Sequence, residues 1–102
     1  QLNQDQVMST LYGARLSGDV DRSGVRGSEC IEPDGDTVNE IVGVTALGRL
    51  DVRDDGRACF TYAEGNPKCY IVYQTGNGLM LHSSLDLYVH RIETGIQSCK
   101  AK

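Results

Sequence analysis

The chain has 102 residues, 39% of them hydrophobic, with one Phe, no Trp and 12 Gly, a composition that suits one domain over residues 1–102 with a thin core. Its formal net charge of -4 argues against a nucleic-acid partner, because phosphate binding needs clustered Lys and Arg without interleaved carboxylates. No run of about 18 apolar residues is present to cross a membrane as a helix, and with no initiator Met or signal peptide the chain is expected to be a mature form with Gln1 just after a cleavage point.

Residues 1–12 are predicted as the one helix. Leu2, Val7, Met8 and Leu11 make an apolar stripe, Asn3 or Asp5 can cap it, and Gly13 should end it. Beyond it, turn residues recur every few positions, among them Gly18, Gly24, Gly27, Pro33-Asp34-Gly35, Gly48, Asp55-Gly56, Gly65-Asn66-Pro67 and Gly76-Asn77-Gly78. Short strands joined by tight turns are the expected outcome. Val38, Val42 and Val44 share one parity around Glu40, and Leu50 and Val52 alternate with Arg49, Asp51 and Arg53. The Asp55-Gly56 dipeptide favours a type I′ turn, which joins that strand to one over Ala58–Tyr62. A second hairpin crosses residues 63–67. Leu79 and Leu81 then mark another strand, and residues 83–92 form the longest, with Leu85, Leu87 and Val89 alternating with Ser84, Asp86, Tyr88 and His90. About seven or eight strands without a second helix between them predict a mainly β fold, a small antiparallel up-and-down barrel whose N-terminal helix packs on or caps it.

Cys30, Cys59, Cys69 and Cys99 are separated by 28, 9 and 29 residues. The absence of a C-x2-C pair favours two disulfides over a zinc site, and hence an oxidising compartment, periplasmic or extracellular. Three pairings are open. If the second hairpin is symmetric about Glu64, Cys59 lies opposite Cys69, and Phe60, Tyr62, Tyr70 and Val72 share one face. Cys30 and Cys99 then pair by elimination.

The stretch from Gly48 to Tyr62, G-R-L-D-V-R-D-D-G-R-A-C-F-T-Y, followed by Cys69-Tyr70, resembles a pattern in small exported proteobacterial proteins of calycin-like, or lipocalin-like, type and unknown function. The segment from Leu11-Tyr12-Gly13 to Leu16-Ser17-Gly18 is similar to their short helix leading into the first strand, and the Pro33-Asp34-Gly35 turn matches as well. The resemblance implies a compact lipocalin-like barrel with an N-terminal helix and an exported location. It brings no catalytic residues.

Candidate sites are few. Asp19, Asp21 and Ser23 before Gly24 copy the first half of a calcium loop, with Glu29 as the nearest later carboxylate. Cys30 stands where the bidentate carboxylate belongs, so an Asp- and Gly-rich turn is the favoured reading and no metal is expected. His82 and His90 would lie about 27 Å apart on one straight strand, too far to share an ion. No G-x-S-x-G elbow or glycine-rich phosphate loop is present, and Glu32, Asp34 and Asp36 read as a solvated turn. Tyr62, Tyr70, Tyr73 and Tyr88 fall on predicted strands, where tyrosine either lines a ligand pocket or finishes a core. In so short a chain a filled barrel interior is expected.

These readings lead to an expectation of an exported, non-enzymatic binding domain without a cofactor, recognising a protein or a small apolar partner. The alternative is an inhibitor that inserts residues 1–7 into the cleft of a protease or lysozyme-type hydrolase.

Overall fold

The computed structural model describes residues 1–20, 25–41, 43–63, 65–76, 78–84 and 86–99. One short helix, α1 (Gln4–Leu11), precedes eight strands: β1 (Arg15–Val20), β2 (Val25–Ile31), β3 (Asp36–Ile41), β4 (Val44–Val52), β5 (Ala58–Tyr62), β6 (Lys68–Gln74), β7 (Leu79–His82) and β8 (Leu87–Glu93). Each pairs antiparallel with the next and β8 pairs with β1, closing an up-and-down barrel without sheet edges.

Asn3 caps α1 as the sequence suggests. Its side chain accepts the Gln6 N–H at 2.9 Å while the Gln6 side chain accepts the Asn3 N–H at 2.9 Å, a reciprocal capping box. Val7 and Leu11 are wholly buried among the barrel's core residues, and burial of each contributes about 1.5–3 kcal/mol. Met8, expected on the same stripe, lies on the flank and is 40% exposed. The helix closes one end of the barrel: Leu2 N–H donates to Val72 O at 2.9 Å, and the Gln4 side-chain amide donates to Val52 O at 3.4 Å. The β2–β3, β4–β5 and β6–β7 connections lie at this base, and the last residues of β1, β3, β5 and β7 lie at the opposite end.

Two disulfides staple the barrel. Cys59 faces Cys69 directly across β5 and β6, and Cys30 on β2 holds Cys99 of the C-terminal segment. The hairpin register expected around Glu64 is the one observed, and Phe60, Tyr62, Tyr70 and Val72 all point inward.

Three local expectations change. The turn after β4 is not type I′, because Gly56 alone takes the left-handed conformation, with φ +90°; Asp54, Asp55 and Gly56 form a three-residue loop closed by Gly56 N–H to Arg53 O at 2.9 Å. Val38 and Val44 lie on different strands: β3 ends at Ile41 and β4 starts at Val44, so Val38 pairs outward with Leu47, and the inward residues of β3 are Thr37, Asn39 and Ile41. Val42 lies outside the described residues. Finally, β8 starts at Leu87, because Asp86 turns back to bond the His82 ring at 2.7 Å and the Ser83 N–H at 3.4 Å; Leu85 also lies outside the described residues.

Candidate functional site

The upper half of the barrel is not filled. A cavity of about 390 Å³ occupies it, at the end away from α1. Gly18 and Gly27 sit side by side on β1 and β2 where neighbouring atoms leave no room for a Cβ, which would meet Tyr88 O at 1.8 Å and the Ile41 side chain at 2.9 Å, and β4 contributes only the small Ala46 to the wall. The lower walls are apolar, formed by Leu16, Phe60, Leu81 and Val89, each no more than 7% exposed. The Phe60 ring lies parallel to Tyr62 at 6.4 Å between centroids and edge-on to Tyr70 at 6.1 Å, giving one side of the cavity an aromatic wall.

The polar centre of this cavity is Glu29, which projects inward from β2 between Leu16 on β1 and Asn39 on β3. Its Oε1 accepts two hydrogen bonds, one from the Asn39 amide at 2.9 Å and one from the Tyr62 hydroxyl. Tyr62 stands on β5, three strands from Glu29. It spans the gap because Gly48 on β4 has no side chain: a Cβ there would lie 2.5 Å from the Tyr62 ring. Glycine at 48 thereby lets the phenol cross β4 and reach the carboxylate.

The second carboxylate oxygen is left without a donor. Glu29 Oε2 and Thr37 Oγ1 are both buried and neither has a hydrogen-bond partner among the described residues. The Thr37 hydroxyl lies close enough to act on both Glu29 and Tyr62, although it completes no well-formed hydrogen bond to either. Burial pushes the Glu29 carboxyl above the usual carboxylate range, against the hydrogen bonds from Tyr62 and Asn39 that pull it down. The Tyr62 phenol is driven well above its ordinary range by burial first, then by the Glu29 charge and the bond to it. Tyr70 is raised by burial and then by Glu29. Among the described residues Glu29 makes no ion pair, so its charge is held by neutral donors alone.

Of the tyrosines singled out in the sequence, Tyr62 and Tyr70 line the cavity with their rings. Tyr88 borders it but pairs outward with Met80, and Tyr73 is outside, its ring edge-on to His82 at 6.3 Å. Strand parity separates them, since inward Tyr70 and outward Tyr73 differ by an odd step. Of the calcium-loop residues, Asp19 bonds the His90 ring at 3.0 Å, while Glu29 is held by Asn39 and Tyr62, and both border the cavity. Asp21 and Ser23 lie outside the described residues.

His82 and His90 occupy neighbouring strands, each with its own carboxylate, Asp86 and Asp19. Glu32, Asp34 and Asp36 do gather, with oxygens within 4.8 Å of one another. Each already has a donor: Cys99 N–H at 2.9 Å for Glu32, Asp36 N–H at 3.0 Å for Asp34, and Arg49 at 2.7 Å for Asp36. They tie the base of β3 to β4 and to the C-terminal segment.

The sequence shows Glu29 only beside the calcium-loop pattern and marks Gly48 as a turn residue, whereas Gly48 lies within β4 opposite Tyr62; Asn39 and Thr37 carry no signal of their own. The available signal was parity: Glu29 shares its face with Ile31, two positions along a strand whose next residue, Cys30, turns outward to its disulfide. Fold and site together define a closed eight-stranded barrel that holds a partly apolar chamber with a part-buried carboxylate, Glu29, at its centre. No protein-family model matches the chain, and neither a curated protein nor a solved structure matches it.

Proposed function

We propose that this protein is an exported, non-enzymatic binding barrel that takes a small, largely apolar ligand into the chamber opposite α1. The observation that carries the reading is the 390 Å³ cavity, which falls within the size range of small-molecule sites and combines apolar and aromatic walls with one focused polar group. Two formed disulfides support an oxidising compartment, periplasmic or extracellular, and among the described residues no helix is long and apolar enough to cross a membrane. The His82–Asp86 pair sits on the outer surface, and the His90–Asp19 pair stands where Asp19 borders the chamber's mouth.

The inhibitor alternative draws no support from the placement of its key segment. Val7 is fully buried and Leu2 is bonded to Val72, so residues 1–7 serve as part of the barrel's base.

Ala46 gives the test. It stands at an inward position on the cavity wall, and Ala46→Phe would fill the space above Phe60. The neutral dye N-phenyl-1-naphthylamine should brighten on binding the wild-type protein and lose most of that response with Ala46→Phe. A dye response equal in the two proteins places binding elsewhere and defeats the proposal.

A further inference from the structure

We infer that the chamber selects a cationic amine, an apolar body carrying an ammonium group that docks against Glu29. The inference rests on the proposed ligand-binding reading and adds the chemistry of the head group.

A carboxylate offers about four acceptor positions, and the protein fills two of them, both on Oε1, through Tyr62 and Asn39. Oε2 receives nothing from the protein, although it is buried. A buried acceptor without a donor is costly, and because Glu29 lines the chamber, a turn of its carboxylate toward a ligand's N–H groups removes that cost. Charge decides which ligand. Among the described residues the cavity lining contains no Arg and no His, and its one basic residue, Lys68, stands on the inward register at the exposed mouth, where Asp19 also borders the cavity. An anionic head that reached Glu29 would therefore face a carboxylate with the one cation left behind at the rim. An ammonium would meet the carboxylate and the rings of Tyr62 and Tyr70, which line the same cavity; aromatic faces also attract cations. A neutral hydroxyl would gain the hydrogen bond but not the charge pairing.

The test uses three probes with one phenylethyl-type body and three heads: 2-phenylethylamine, 2-phenylethanol and phenylacetate. Each is titrated into the intact, disulfide-bonded protein at about neutral pH, where the amine is a cation and the acid an anion. Amide shifts of Phe60, Leu81 and Val89 report binding in the chamber. The amine should bind about tenfold or more tighter than the alcohol, with phenylacetate weakest. Glu29→Gln should erase the amine's advantage while changing the alcohol by no more than about twofold. Because the wild-type order of heads is itself informative, the inference stays open to refutation even if the variant folds poorly. Equal binding of amine and alcohol, or preferred binding of phenylacetate, overturns the ammonium inference and leaves the chamber reading standing. Failure of all three to move those amides overturns both.

Discussion

Replacing Glu29 by Gln should make the unliganded protein more stable. Gln keeps one carbonyl oxygen to accept from Tyr62 and Asn39, the bonds that Oε1 accepts now, and offers an N–H2 group toward Thr37 Oγ1 in place of the orphaned Oε2. Leaving a buried polar group unsatisfied costs about 1–3 kcal/mol, and more when it is charged. A gain of about 1–2 kcal/mol is expected for Glu29→Gln above the carboxyl's folded titration range, or roughly 4–8 °C in Tm for each kcal/mol in a domain of this size. The pH dependence fixes the cause. Burial holds the folded Glu29 carboxyl above its ordinary value of 4.5, so the folded state binds the proton more tightly than the unfolded chain. Wild-type stability from this group is complete below that ordinary value and declines as pH rises through the folded titration. The advantage of Glu29→Gln should therefore be small near about pH 4 and grow toward about pH 8. Urea melts of both proteins, disulfides intact, across that range supply the measurement. A variant less stable than wild type at the upper pH, or a difference constant across the range, would refute the assignment of an under-satisfied buried carboxylate.

Two further outcomes follow from the same framework. The Cys30–Cys99 bridge closes a sequence separation of 69 and the Cys59–Cys69 bridge one of 10, so on loop-closure entropy their removal should cost roughly 4 and roughly 3 kcal/mol respectively; calorimetry on the two double Cys→Ala variants should rank them in that order, and the reverse order would discount the entropic account here. Gly48→Ala puts a methyl 2.5 Å from the Tyr62 ring and 2.6 Å from Thr61 O, which should cost about 1–3 kcal/mol by overpacking. The displaced phenol should leave Glu29, read as a lowered Tyr62 titration in ultraviolet absorbance, and an unchanged Tyr62 titration would show that the ring does not need a bare β4 to reach the carboxylate.

Much of the barrel was legible because its outer wall obeys simple rules. Turn residues marked the hairpins, alternation set the faces of Arg49 to Arg53, Leu79 and Leu81, and the symmetric hairpin about Glu64 brought Cys59 onto Cys69. Asn3 and Asp5 both offered a cap for α1, and Asn3 is the one used. The chamber was illegible for the converse reason. Its strands β2 and β3 turn Gly27, Glu29, Thr37 and Asn39 inward, and polar or missing side chains at buried positions break the apolar alternation by which a buried face is recognised. Val38 and Val44 drew attention to the wrong parity, while the reach of Tyr62 across Gly48 joins residues three strands apart, a relation that sequence spacing does not encode. The expectation of a filled interior failed at the same place: chain length bounds how much core can form, but not which inward positions, such as Ala46, carry too little bulk to fill the mouth.

Two segments far apart in sequence are fastened around the base, one through Leu2 on Val72 and the other through Ile96 on Gly13 and Cys99 on Cys30. A tether, fusion partner or solid support joined to either segment would consequently orient the molecule like a cup standing on its foot. Its rim would stay clear for solutes to enter, which makes the protein suited to display on a surface or to attachment in tandem without obstructing its own opening.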